Sequence, residues 1–317
     1  MTQMQTRTWS QADLLRELEH VVEGELNRHT KVAKDWMPHE YIPWSEGRTF
    51  DGVLGGEKWQ QSDSKLSDVA RSALIVNLLT EDNLPSYHYE IASLLGRDGA
   101  WGSWVHLWTA EEARHSIAMR DYLLVTRAVD PDALERFRMQ HMSDGYTSLH
   151  SQKMLHSLAY VSFQELATRV SHRNTGKATE DPIGEQLLSR IAADENLHMM
   201  FYRNLLNAAL QLDPNQTMRA ITEVVKQFAM PGAAIPGFQR KSVEMAVAGI
   251  YDIRQHRDEV VMPVLRFWKV FELEGLNDEG EQARIELADI TAGLEKSALR
   301  FEDKRGALQA RLASKLG

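Results

Sequence analysis

Apolar positions recur at helical spacing over most of the chain. Residues 11–34 read as a first helix. From Leu66 onward the period predicts long helices at 66–95, 101–128, 148–174 and 182–211. The turn-rich stretch MPGAAIPGF, residues 230–238, separates a helix at 215–229 from shorter ones at 240–252 and 257–273; a last helix covers 278–313. An arm from Met37 to about Ser64 is rich in Gly, Pro, Trp and Ser and has no clear period. Its aromatic residues need cover, which predicts an ordered loop. Valine, isoleucine, threonine and aromatic residues do not gather in alternating runs, so no strand is predicted. Two antiparallel helix pairs with short connections predict an all-α chain organised as one domain. A helix and arm at 1–65 would precede a four-helix bundle at 66–211, and additional helices at 212–317 would pack around it.

The rows of that bundle contain polar residues where apolar ones belong. In the helix at 182–211 the row is Leu187, Ile191, Glu195, His198, Tyr202, Leu205 and Leu206. In the helix at 101–128 it is Val105, Trp108, Glu112, His115, Met119 and Tyr122. Each is interrupted by Glu-x-x-His. The other two helices each place one acid on the row: Glu81 after Ala70, Leu74 and Asn77, and Glu165 after Leu158 and Val161, followed by Thr168 and His172. Glu81 precedes Glu112 by 31 residues, and Glu165 precedes Glu195 by 30. The order is therefore a lone Glu, then Glu-x-x-His, twice over. A single Glu-x-x-His is usually an exposed polar pair on a helix surface. Two copies on apolar rows, each with its upstream glutamate, predict six ligands around one point.

Charge decides what must sit at that point. An isolated carboxylate in apolar surroundings costs tens of kcal/mol by a Born estimate, so it is protonated, paired or metal-bound. Four glutamates would be neutralised by two divalent cations, with the imidazoles as neutral ligands. Cysteine is absent, so thiolate clusters, disulfides and a cysteine nucleophile are excluded. The chain's 45 acidic residues and 12 histidines offer oxygen and imidazole, a donor set suited to iron or manganese.

Composition narrows the remaining classes. The 317 residues are 43% hydrophobic, enough for a large core. No run approaches the ~18 consecutive apolar residues of a membrane helix, and the start MTQMQTRTWSQADLL lacks a signal peptide's apolar stretch. A cytoplasmic protein without a membrane span is the expectation. A net charge of −9 disfavours nucleic acid as a partner. The C-terminal stretch is locally basic, with Arg300, Lys304, Arg305, Arg311 and Lys315 against Glu302 and Asp303. It is either a solvated helix end or a patch for an acidic partner.

The stretches TEDNLPSYH, WTAEEARHS, VSFQELATRVSHRNT and AADENLHMMFY together resemble the soluble acyl-carrier-protein desaturases. This is the ferritin-like family of the plant stearoyl desaturases and their actinobacterial relatives. The resemblance runs from about Asn27 to about Leu276 and implies a ferritin-like fold. It assigns Glu81, Glu112, His115, Glu165, Glu195 and His198 as ligands of two iron ions per chain, the six reached from spacing. It also implies a role for Trp36, with Asp194 and His115, in carrying electrons to one iron; ordinary core packing is the alternative for this tryptophan. A ligating histidine commonly donates its other N–H to a carboxylate, which is the logic of Asp194. Glu111 holds the equivalent place in the other repeat. Thr168 matches a family threonine beside the oxygen site, with a back-bond to a helix carbonyl as its alternative role. Trp108 also matches and reads as packing near the irons. Pro85 removes the N–H that would reach the carbonyl of Glu81, so the helix should distort there. Ala113 and Ser116 depart from the plant pattern but lie off the ligand row. Glu90 departs more seriously, because it places a charge in a segment that lines the family's acyl channel.

What the resemblance implies about activity is O2-dependent desaturation of a saturated fatty acyl chain on acyl carrier protein. Two external electrons, from ferredoxin or a similar donor, would be used, and the enzyme would be a homodimer. Acyl carrier protein is acidic, so a basic rim is expected, with Arg240, Lys241 and the C-terminal basic residues as candidates. Two rival readings stand. One is a diiron hydroxylase or epoxidase of a carrier-bound chain. The other is a ferritin-like iron-binding protein without catalysis, against which the arm and additional helices argue. A radical-generating ribonucleotide reductase subunit normally has an aspartate as first ligand and a tyrosine four residues after the first histidine. Here those are Glu81 and Met119.

Overall fold

A computed structural model describes residues 9–150, 152–235 and 237–316, the side chains of 233–234 and 308–316 excepted. The fold is all-α and ferritin-like. Helix α1 (Gln11–Val32) leads into the arm, then α2 (Asp68–Asp82), α3 (Leu84–Leu95), α4 (Gly99–Val125), α5 (Pro131–Asp144), α6 (Met154–Ala178) and α7 (Pro182–Leu212). The chain continues through α8 (Pro214–Gln227), α9 (Phe238–Val247), α10 (Ile253–Gln255), a π turn (His256–Val261), α11 (Met262–Trp268) and α12 (Asp278–Leu316). Helices α2, α4, α7 and α6 pack in that cyclic order and close the bundle; α1 lies across α4 and α7.

Local sequence explains the starts. Helices α5, α7 and α8 each open on Asp-Pro: Asp130-Pro131, Asp181-Pro182 and Asp213-Pro214. The aspartate accepts from backbone N–H groups of the first turn, and proline fits where no N–H partner exists. Asp181 accepts from Ile183 N at 3.1 Å, and its other oxygen accepts from the Tyr122 hydroxyl at 2.6 Å.

The helix expected at 66–95 is two helices. It breaks at Asn83, directly after the turn bearing Glu81, with Pro85 at the second position of α3. The Tyr87 hydroxyl donates to the Thr80 carbonyl at 2.9 Å, one residue before Glu81. The distortion expected from Pro85 is a full interruption of the helix. Helix α6 starts at Met154 rather than 148, since residues 145–153 form the connection from α5. Helix α5 itself was not expected; its Asp-Pro start was the available signal. In the arm, Ile42 is buried, as is Trp36 just before it, but Trp44 is 53% exposed, so the expected cover is incomplete.

Two apolar clusters fill the bundle. Leu74, Leu78, Met119, Tyr122, Leu187 and Ile191 belong to one; Trp104, Trp108, Phe163, Phe201, Tyr202 and Leu205 to the other. Along α4 and α7 the switch from one cluster to the other falls at the Glu-x-x-His turns. Each apolar layer thus clamps one side of the polar one.

Candidate metal centre

The six predicted side chains converge between those layers. Glu81, Glu112, His115, Glu165, Glu195 and His198 are all 7% exposed or less. His115 Nδ1 lies 3.2 Å from Glu195, 3.5 Å from Glu112 and 3.7 Å from Glu81. His198 Nδ1 lies 2.7 Å from Glu112 and 3.8 Å from Glu165. Two overlapping tetrads result: Glu81, Glu112, His115 and Glu195, and Glu112, Glu165, Glu195 and His198. Each has its donor atoms within 4.8 Å of one another, and either could hold a metal ion. The shared members are the glutamates of the two Glu-x-x-His turns.

The donor set fits cations better than protons. Glu112 Oε1, His115 Nδ1, Glu165 Oε2, Glu195 Oε1 and His198 Nδ1 are buried and make no well-aligned hydrogen bond. Buried polar atoms normally find partners, so a cluster without them points to a missing positive charge at its centre. Left to protons alone, the cluster balances its charge by moving several groups away from their ordinary values. Burial opposes charge on His198, yet Glu112 and Glu111 push it up to about 10. His115 is raised well above its usual range against the same opposition, chiefly by Glu112 and Asp194. Burial drives the Glu165 carboxyl far upward, and the neighbouring Glu195 and Glu112 add to it. Divalent cations would relieve all three at once.

The chain belongs to the fatty acid desaturase family. The profile of that family, described as fatty acid desaturase, matches residues 10–315. DesA1 of Mycobacterium tuberculosis, whose name marks it as a provisional acyl-[acyl-carrier-protein] desaturase, is 53% identical over 296 residues, covering 91% of this chain and 87% of its own. The chloroplastic stearoyl-[acyl-carrier-protein] 9-desaturase of Gossypium hirsutum is 28% identical over 311 residues, covering 92% of this chain and 77% of its own. The X-ray structure of DesA2 from M. tuberculosis, a provisional acyl-ACP desaturase by title, matches with a TM-score of 0.68 at 34% identity. That match covers 81% of this chain and 94% of DesA2.

Around the tetrads, this desaturase-family chain places the other singled-out residues in contact. The Trp36 indole donates to Asp194 at 2.7 Å and stacks parallel to the His115 ring at 6.4 Å. Asp194 lies 3.5 Å from His115 Nε2 and also accepts from Arg114 at 3.2 Å and from Arg190. Burial would raise its pKa, but the imidazole, indole and guanidinium donors hold it well below the usual range. The Thr168 hydroxyl has three acceptors in reach: the Gln164 and Glu165 carbonyls at 3.1 and 3.0 Å and Glu195 Oε2 at 3.0 Å. Both roles weighed for it are geometrically open. Trp108 does more than pack, since its N–H lies 3.3 Å from Glu165 Oε1.

Three partners escaped the reading of the sequence, His172, His29 and Arg114, while Glu111 stands beside His198 at the place equivalent to Asp194. His172 Nε2 lies 3.0 Å from Glu81 Oε1. Asn77 holds the opposite ring nitrogen at 3.3 Å, so the imidazole donates its Nε2–H to the carboxylate. Its place on the Glu165 row was the signal. Glu111 accepts from His198 Nε2 and from His29 Nε2, each at 2.9 Å. His29 sits on the buried row of α1 with Leu14, Leu18 and Val22, a polar exception like those of the bundle. Arg114 bonds Asp194 and comes within 3.9 Å of Glu111, so one guanidinium lies between the two repeats.

Two cavities share Glu81 and Thr80 in their walls. One runs past Thr168 to Met230, Phe238 and Ser242; the other past Trp108 and Glu165 to Leu94, Glu90 and Ser148. Glu90 accepts from the Ser148 N–H at 3.0 Å, and burial raises its pKa despite that bond. Of the candidate basic rim, Arg240 pairs with Glu244 at 2.9 Å and is 87% exposed. Arg305 is engaged by Asp252 at 2.7 Å, which makes it a fold contact rather than a free patch. Arg300 and Lys304 are exposed, while the side chains of Arg311 and Lys315 lie outside the described residues. No described helix is long and apolar enough to cross a membrane.

Proposed function

We propose that this protein introduces a cis double bond into a saturated fatty acyl chain carried on acyl carrier protein, using dioxygen and two external electrons. The observation that carries the reading is the pair of overlapping Glu/His tetrads, with Glu81 in the walls of two cavities. Glu81 and His115 would hold one iron, Glu165 and His198 the other, with Glu112 and Glu195 shared. Two iron ions bound there would supply the reduction of dioxygen that removes one hydrogen from each of two adjacent methylenes. Two electrons and two protons enter, and two waters leave with the alkene.

The residues of the chain do the rest. The two cavities bend the acyl chain past Glu81, so the methylenes nearest the bend are the ones presented. The apolar layers on either side exclude water from the reacting carbons. Trp36 donates to Asp194, which lies 3.5 Å from His115 Nε2, and this chain of contacts suits electron entry from a ferredoxin-type donor. Thr168 places a hydroxyl proton beside Glu195. Arg240 and Lys241 directly precede Ser242, which lines one cavity, and are the proposed contact for the acidic carrier, in a homodimeric enzyme.

The test is direct. Iron-loaded protein is reduced without air, mixed with oxygen and a panel of acyl carrier substrates, and the acyl products are weighed by mass spectrometry. Loss of two mass units from the acyl group is the expected result. A gain of sixteen would move the protein to the hydroxylases or epoxidases. Oxidation of iron with no acyl change at any chain length would leave only an iron-binding protein.

A further inference from the structure

The two repeats hold their imidazoles through different anchors. On one side, Asp194 is fixed by the Trp36 indole and by two guanidiniums. On the other, Glu111 has no such collar. Its Oε2 accepts from both His198 and His29 at 2.9 Å, and Arg114 stands off at 3.9 Å. His29 is 1% exposed, stacks on the His198 ring at 5.8 Å and meets Trp104 edge-on at 5.1 Å. Its Nδ1 has no partner, so within this contact its polar bond is spent on Glu111.

Glu111 itself is 12% exposed at its side chain. Without a second donor, nothing strong keeps its carboxylate turned inward onto His198 rather than outward to water. The geometry points to His29 as the positioning residue of one metal position: it pins Glu111, which orients His198 and keeps its Nδ1 aimed at Glu112 and Glu165. Helix α1 thereby does for one half of the centre what the segment after it does, through Trp36, for the other. This inference rests on the reading of His198 as a metal ligand. The carboxylate that receives a ligating histidine's N–H fixes the tautomer and raises ligand basicity, and its loss typically costs about 10–100-fold in metal affinity. A ring without a donor should therefore weaken one ion and spare the other.

The experiment titrates metal-free protein with Co(II), following the visible bands of each bound ion, which needs no turnover. His29→Phe keeps the ring packing and removes the N–H; His29→Gln keeps an N–H near the same place. The thermal midpoint of each variant checks the fold. Expected for His29→Phe is a second Co(II) bound about 10-fold or more weaker, with the first within about two-fold of the parent, and recovery in His29→Gln. Two unchanged affinities in His29→Phe, or equal weakening of both with no recovery in His29→Gln, would overturn the role of His29 alone. A parent chain that binds fewer than two Co(II) would overturn the metal-centre reading together with it.

Discussion

The charge at the bundle centre is a residue-scale problem. Four carboxylates can share this space only because every one of them faces an imidazole, a hydroxyl, an indole or a site for a cation. Removing one ligand should therefore empty more than one bond's worth of metal. Glu165→Ala or His198→Ala is expected to reduce iron from two per chain to about one or fewer, measured by elemental analysis of anaerobically loaded protein; unchanged stoichiometry would refute these ligands. Glu111 supplies a pH prediction. Burial would raise its carboxyl, but the His198 and His29 donors outweigh this and bring it down from 4.5 to about 2. A group depressed on folding stabilises the native state above its unfolded pKa and loses that contribution as pH falls toward the folded value. Metal-free protein should lose stability between about pH 4.5 and 2, followed by urea unfolding, and Glu111→Gln should flatten that dependence. An identical slope in the variant would remove Glu111 as its source.

At the scale of elements, the bundle is assembled from helix starts and one deliberate interruption. Asp181 both caps α7 and receives the Tyr122 hydroxyl from α4, so it ties the turn preceding one Glu-x-x-His helix to the other. Asp181→Ala should cost about 1–2 kcal/mol in urea unfolding, the range of a lost N-cap. A cost below a few tenths would mean that water replaces both bonds. A distortion at Pro85 was legible from the missing N–H, but the full break between α2 and α3 was not, because proline can kink a helix without ending it. The absence of α5 from the expectation had another cause. Its exposed face carries Phe137, Met139 and Met142, which blurs the apolar row, and the Asp-Pro cap was the cleaner sign.

The whole molecule adds what no element contains, two cavities with Glu81 in the wall of both. The one toward α3 is lined by Tyr87, Ile91 and Leu94 but also by Glu90, whose carboxylate bridges to the α5–α6 connection at Ser148. A hydrocarbon end pushed against a carboxylate must displace its water, at a cost that grows with burial. On the proposed function, Glu90→Leu is expected to shift the preferred acyl chain of the iron-loaded protein toward greater length, read as relative kcat/KM across a substrate series. The same ranking in parent and variant would show that the acyl chain ends elsewhere.

The all-α class, the four bundle helices and the six converging residues were readable before any coordinates. Helical period and ligand spacing are local properties of a chain, and a carboxylate on an apolar row is an anomaly visible in one dimension. Partners across the fold are different. His29 lies 82 residues from Glu111, and Trp36 lies 158 from Asp194. Resemblance to a family suggested the second contact; for the first, the local pattern marks His29 as a polar exception on its row but not its partner. Which donor pins which carboxylate was decided only when α1 and the segment bearing Trp36 packed against the bundle. Hydrogen bonds between distant segments depend on positions that sequence spacing does not encode.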